Sequence, residues 1–355
     1  MSEPAAPWVR RATLLVVAAM ALVSVLAGLG RIGFRVPAAD RALDHGPLFV
    51  LGVFGTVIAL ERAVALGTRW AFAAPLASAL GGVGTMLHVA GAAWSSVAGS
   101  VVLVLANVAI VRRQSLAFTW IMLLGSLLLA GGSTAWALGR PVADVVPAWL
   151  AFFVLTILAE RLELSRLAPT PRWASRLFVA LALVLASASA ALCVAVPHTS
   201  AALGACLTLL GLWQLRFDLA RRLLQRPGLP RFTALGVLGG TLWLIVSGAL
   251  LVRHGLEPAG PMYDAVLHAV LVGFVLSMVF AHAPIILPAV ARIEVPYHRA
   301  LYLPLAVLHL GLVARLGGDL GGLPDLRRAG AALNALALAS FLMAVLWSRA
   351  RRSRT

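Results

Sequence analysis

Lysine is missing from this sequence: all 29 basic residues are arginine. Acidic residues are few, 13 against those 29, and the formal net charge is +16. Charged residues make up 12% of the 355, roughly half the share typical of a soluble domain. Only two cysteines occur, Cys193 and Cys206. They lack CxxC spacing and lie in apolar runs, so they read as small core residues and not as a disulfide or a metal pair. A basic balance raises the question of nucleic acid. The arginines, however, sit at the ends of apolar runs, where the positive-inside rule puts them, and nucleic acid is excluded as a partner.

What the chain has in abundance is apolar surface: 61% of residues are hydrophobic and the mean hydropathy is +0.95. No soluble fold has interior enough to hide this. A bilayer does, and it admits only helices and closed barrels, because each backbone polar group must be satisfied without water. Barrel strands alternate polar and apolar residues; these runs do not. The expected fold is all-α, a polytopic transmembrane bundle of about twelve helices forming one integral membrane domain over 1–355.

The runs fall at about 12–30, 46–66, 71–91, 94–112, 116–138, 145–163, 174–196, 199–217, 232–252, 262–287, 297–315 and 327–348, each close to the roughly 20 residues of a crossing. Arg10 and Arg11 before the first run resemble a signal peptide, but no clear cleavage site follows, so that run reads as a retained helix. The longest connection, 217–231, is a basic surface loop and no domain boundary. With twelve crossings and a cytoplasmic N-terminus, 21 of the 29 arginines face the cytoplasm and 8 the outside. That asymmetry favours both termini inside, in an inner (plasma) membrane. A short echo, IALER at 58–62 and ILAER at 157–161, closes the second and sixth runs and hints at an internal repeat.

Histidines inside such runs are the candidate chemistry, because an imidazole in hydrocarbon is costly unless it is paired, hydrogen-bonded or ligating. His45 opens the second run, His88 lies near the outer end of the third, and His268 and His309 are each roughly 9 Å inside the outer ends of the tenth and eleventh by the helical rise. His282 lies further along the tenth run, towards the inner side. His198 and His254 read as solvated loop residues, and His298 as the inner start of the eleventh helix. His45 and His88 read equally well as helix-end residues bonded to a carbonyl or water. Neutral imidazole binds haem iron, copper or zinc. The candidate metal ligands are therefore His45, His268, His282 and His309, with His88 in reserve for a haem.

Haem carries propionates, and Arg31, Arg35 and Arg41 crowd the first outer loop against the positive-inside trend. They are suited to bidentate carboxylate contact, although Asp40 and Asp44 could equally neutralise that loop. Asp264, one turn before His268, is placed to orient its ring. Glu61 and Glu160 precede arginines and read as interfacial ion pairs, or else as points of proton entry. Asp218 reads as a solvated neighbour of Arg221 and Arg222. Pro284 and Pro288 are expected to kink or end the tenth helix.

Two segments carry a resemblance. The second run reads DHGPLFVLGVFGTVIALER from Asp44 to Arg62, and the tenth reads HAVLVGFVLSMVFAHAPIILPAV from His268 to Val290. Together with twelve helices, they resemble the NnrS family and, more distantly, subunit I of the haem–copper oxidases. In those oxidases a histidine of the second helix and one of the tenth ligate the low-spin haem; the matching positions are His45 and His268. The resemblance implies a haem-binding membrane protein, b-type, with copper as a further metal, linked to nitric oxide response or electron transfer with a small gas or redox partner. The oxidase copper-site histidine of the sixth helix has no match, and neither has the adjacent His-His pair, so the resemblance does not extend to an oxygen-reducing centre. Two other classes stay open: a proton-coupled small-solute transporter, with Glu61, Glu160 and His282 carrying protons, and a membrane assembly factor without a cofactor.

Overall fold

The apolar runs become helices in the computed structural model, which describes residues 6–165, 170–196 and 198–352. In chain order they are α1 (Pro7–Arg31), α2 (His45–Leu66), α3 (Ala73–Met86), α4 (Ala92–Arg113), α5 (Ala117–Ala137), α6 (Val142–Ser165), α7 (Arg172–Cys193), α8 (Thr199–Phe217), α9 (Leu229–His254), α10 (Pro261–Ala291), α11 (Tyr302–Gly321) and α12 (Pro324–Arg352). Each expected run has its helix. Among the described residues there is no strand, and eleven of these helices are long and apolar enough to cross a membrane. The chain folds as a polytopic helical bundle of a multi-pass membrane protein.

The remaining helix, α3, is the difference. It has 14 residues, about 21 Å of helix at 1.5 Å per residue, preceded by a 3-10 turn at Arg69–Phe72. The expected run to residue 91 stops at Met86, because the chain turns there through a Schellman closure. Val89 N–H donates to the Gly84 carbonyl at 2.8 Å and His88 N–H to the Thr85 carbonyl at 3.1 Å, with His88 in the left-handed region at φ +53°. Glycine usually takes this position, since it has no Cβ to clash. At the other extreme, α11 runs six residues beyond the expected end at 315, and α10 continues through both Pro284 and Pro288 to Ala291. The prolines do not end the helix.

The chain divides into two compact units. One is Met1–Phe152 with Val290–Arg292; the other is Phe153–Ala289 with Ile293–Thr355. In the first, Val17 and Met20 of α1 pack on Val53 of α2, and Ala63 and Leu66 of α2 pack on Ala71 and Ala106. Arg10 and Arg11 of α1 donate to the carbonyls of Val290, Ala291 and Arg292, satisfying the last turn of α10. In the second unit, α8 and α9 approach so closely that a Cβ on Gly204 would stand 2.6 Å from the Gly248 carbonyl oxygen. Small residues at contacts of this kind are how membrane helices gain van der Waals packing when hydrophobic driving force is weak.

α2 and α10 share a local departure. Each begins as α-helix, widens to π over eight residues, Leu48–Gly55 and Ala269–Leu276, and returns to α. A glycine stands fifth in both stretches, Gly52 and Gly273. Extended π stretches are uncommon and cluster at functional sites. Each here follows a candidate histidine, His45 or His268, within three residues.

Candidate functional site

In the first unit, His45 sits in a socket built by α1. A ring nitrogen facing a carbonyl must be the donor, so His45 Nδ1–H donates to the Ser24 carbonyl at 2.7 Å. The Ser24 hydroxyl donates back to the His45 carbonyl at 2.9 Å. One turn on, Gly28 leaves room for the ring: a Cβ there would lie 2.7 Å from Cε1 and 2.8 Å from Nδ1. Phe49 stands 6.1 Å away, ring to ring.

The other residues of this unit are placed differently. His88 Nε2 pairs with Asp44 Oδ2 at 2.9 Å, and the His88 side chain is 55% exposed. Arg41 donates to the Met86 carbonyl and so ties the first outer loop to the end of α3. Arg31 and Arg35 are exposed. Asp44 is thus engaged with His88, and the loop arginines are not gathered on it.

In the second unit, α10 carries three layers of polar groups. At its start, His268 Nδ1–H donates to the Asp264 carbonyl at 2.8 Å, and the Asp264 carboxylate lies 3.3 Å from the same nitrogen. That carboxylate accepts two bonds from Arg315, from Nε at 2.7 Å and Nη2 at 2.9 Å. Arg327 reaches it at 3.4 Å and touches Asp319 at 2.9 Å. Asp264 therefore does stand by His268, as its spacing implied, but its main chain holds the ring while its carboxylate binds α11.

In the middle layer, Trp243 Nε1–H donates to His309 Nδ1 at 2.9 Å. The indole nitrogen can only donate, so the His309 proton is on Nε2, directed at the Ser277 hydroxyl 3.4 Å away. Ser277 in turn donates to the Gly236 carbonyl at 2.7 Å. In the third layer, His282 Nδ1–H donates to the Met278 carbonyl at 2.8 Å, and Nε2 faces Nη1 of Arg161 at 3.4 Å. Arg161 grips Asp218 through two bonds. The Asp218 carboxylate is fully buried, which corrects its expected solvated setting.

These partners test the ligand set. A ligating histidine characteristically gives its other ring N–H to a carbonyl or carboxylate, which fixes the tautomer and the ring plane. His45 in the first unit and His268 in the second each have that tautomer, with the lone pair on Nε2, and each by itself fits the pattern of an imidazole ligand. His309 has both nitrogens committed, His282 presents its lone pair to a guanidinium, and His88 is an exposed partner of Asp44. None of these three fits coordination as it stands. Among the described residues no three histidine, cysteine or acidic side chains cluster closely enough to hold a metal ion. Cys193 and Cys206 are not joined in a disulfide.

Sequence reasoning missed Trp243, Ser277, Arg315 and Asp319. An arginine and an aspartate four residues apart in an otherwise apolar run were the available signal for the last two. Glu61 does pair with its neighbour Arg62, at 2.9 Å, whereas Arg161, its counterpart in the echo, turns to Asp218.

No curated protein and no solved structure matches this chain. One family model does, over residues 10–350, nearly the whole length, and the chain belongs to that family, described as Domain of unknown function (DUF8744).

Proposed function

We propose that this is an inner-membrane protein with both termini cytoplasmic that binds b-type haem, in which His45 of the first unit and His268 of the second are each a candidate axial ligand, considered separately. The observation that carries the reading is their shared hydrogen-bond state: each gives Nδ1–H to a main-chain carbonyl of a buried turn, Ser24 or Asp264. That state puts the ring proton on Nδ1 and the lone pair on Nε2. The π stretch beside each histidine adds to this, as does the resemblance of the two segments to the haem-ligating helices. A bound haem supplies one-electron chemistry and a site for a diatomic gas. The protein's own residues hold the imidazoles: Ser24 and Gly28 for His45, Asp264 with Arg315 for His268. The task is electron transfer or the handling of a gas such as nitric oxide.

The test is the absorption spectrum of the purified full-length protein, expressed with haem supply. A Soret band that is lost or shifted in His45→Ala and in His268→Ala supports the reading. A colourless wild-type protein of normal fold overturns it.

A proton-coupled transporter is the second reading. It draws on one observation: α10 carries buried ionic groups at both ends of the second unit, Asp264 with Arg315 and His282 beside Arg161–Asp218. Ionisable groups buried in membrane helices are a mark of ion and proton pathways. Acidification of liposomes that requires His282, by a colourless protein, is the result that selects it.

A further inference from the structure

The end of the second unit where α7 begins and α8 finishes carries a patch of arginines that the haem reading does not use. Arg172 and Arg176 lie on the first turns of α7, and Arg216 on the last turn of α8; all three are exposed. Trp213 Nε1–H donates to the Ala174 carbonyl at 2.8 Å, which joins the two helix ends. Directly after α8, a one-turn helix, Ala220–Leu223, presents Arg221 and Arg222, and Arg226 follows, again exposed. The segment is not loose: Arg221 donates to the Arg216 carbonyl at 3.2 Å and Arg231 to the Leu224 carbonyl at 2.9 Å.

Charge balance makes the patch unusual. From 216 to 231 the sequence offers one acid, Asp218. That carboxylate is fully buried, doubly bonded to Arg161 and accepting the Ala220 N–H. With that carboxylate committed to Arg161, residues 216–231 hold no acid paired with the exposed arginines.

Aromatic residues fix the depth. Trp173 is 61% exposed and meets Phe217 edge to face at 5.7 Å, and the Arg216 guanidinium lies 5.1 Å over the Phe217 ring. An exposed tryptophan at the end of an apolar helix marks the bilayer–water interface. The arginines just beyond it stand at the level of lipid headgroups.

We propose that this patch is a binding site for the phosphate headgroups of anionic phospholipids, of the phosphatidylglycerol or cardiolipin type. Four to eight basic residues immediately outside a membrane helix provide the charge density for anionic lipid, and the planar guanidinium is matched to phosphate oxygens. Trp173 and Phe217 flank the glycerol region. The site is independent of any haem.

The experiment uses the full-length protein in neutral detergent and follows its unfolding midpoint during titration with phosphatidylglycerol, cardiolipin, phosphatidylcholine or inorganic phosphate. Anionic lipid raises the midpoint by several degrees, and phosphatidylcholine and phosphate do not. The R221Q/R222Q/R226Q variant, altered only at exposed positions, binds anionic lipid about fivefold more weakly per arginine removed, or about a hundredfold in all. R253Q, at the far end of α9, leaves the response intact. Native mass spectrometry of wild-type protein retains phosphatidylglycerol over phosphatidylcholine. Equal protection by phosphatidylcholine, equal protection by phosphate alone, or an undiminished response in the triple variant overturns the proposal.

Discussion

Arg161 and Asp218, 57 residues apart, form a two-pronged ion pair: Nε donates to Oδ2 at 2.7 Å and Nη2 to Oδ1. Both side chains are almost wholly buried, 5% and 0% exposed. Removing one partner strands the other charge, at a cost of about 3–5 kcal/mol. Replacing both with apolar residues strands no charge, only the Ala220 N–H that Asp218 accepts. Asp218→Asn and Arg161→Met should each lower the unfolding midpoint sharply in detergent, and R161M/D218L should recover much of the loss. Additive losses in the double variant would contradict a mutual pairing.

A second expectation concerns Gly28. On the haem reading, Gly28→Ala places a methyl where the His45 ring now lies, 2.7 Å from Cε1, and the ring must turn from the Ser24 carbonyl. Haem content, read from the Soret band per protein, should fall several-fold while helical circular dichroism is kept. Ser24→Ala removes a hydroxyl bond but not the carbonyl, and should shift the spectrum less. Full haem content in G28A means that His45 is not a ligand.

How far the sequence revealed this arrangement depended on the range of the interaction. Helices set by bilayer thickness were readable to within a few residues, because each run reports its own burial. The end of α11 was not: VARLGGDLGG, from Val313 to Gly322, reads as a loop by hydropathy. Arg315 and Asp319 remain helical because Asp264 and Arg327 meet them, and neither lies on the same helix. The α3 boundary failed for a different reason, since a histidine at φ +53° does the work that glycine usually signals. His45 and His268 were legible as candidates; the carbonyls that fix their tautomers, one of them on another helix, were not.

His88 offers a check on whether its role is conformational. A non-glycine residue in the left-handed region costs roughly 1 kcal/mol, and the exposed His88–Asp44 pair offsets little of it. His88→Gly should therefore match or slightly exceed the wild-type unfolding midpoint. His88→Val, branched at Cβ, should fall below it. Haem content should be unchanged in H88G. A loss of the Soret band there would return His88 to the ligand set.

Trp243 and His309 form a buried donor–acceptor pair that can be opened without making a large cavity. Trp243→Phe leaves His309 Nδ1 without its donor, and an orphaned buried polar group costs about 1–3 kcal/mol. His309→Phe removes the acceptor and strands the indole N–H instead. A double-mutant cycle on unfolding free energy should show coupling of about 0.5–3 kcal/mol. Independence of the two substitutions would remove the directional chain from Trp243 through His309 and Ser277 to the Gly236 carbonyl.

The cluster at the start of α10 predicts an order of severity. Asp264 accepts two aligned bonds from Arg315 and a longer contact from Arg327. Asp319 lies 2.9 Å from Arg327 Nε without the alignment of a hydrogen bond, and it stands in the field of Asp264 and Arg315 as well. Asp264→Asn keeps the main-chain carbonyl that holds His268 but takes the counter-charge from two arginines, so its loss of stability should approach the roughly 3–5 kcal/mol of a broken buried pair. Asp319→Asn should cost distinctly less. Because both carboxylates share Arg327, the double variant should depart from additivity. In a haem-loaded sample, Asp264→Asn should leave the ligand in place, since the His268 N–H still has its carbonyl, while shifting the midpoint potential through the charge removed one turn away. An unshifted potential with the Soret band intact would mean that the carboxylate serves α11 alone and has no electrostatic hold on the iron.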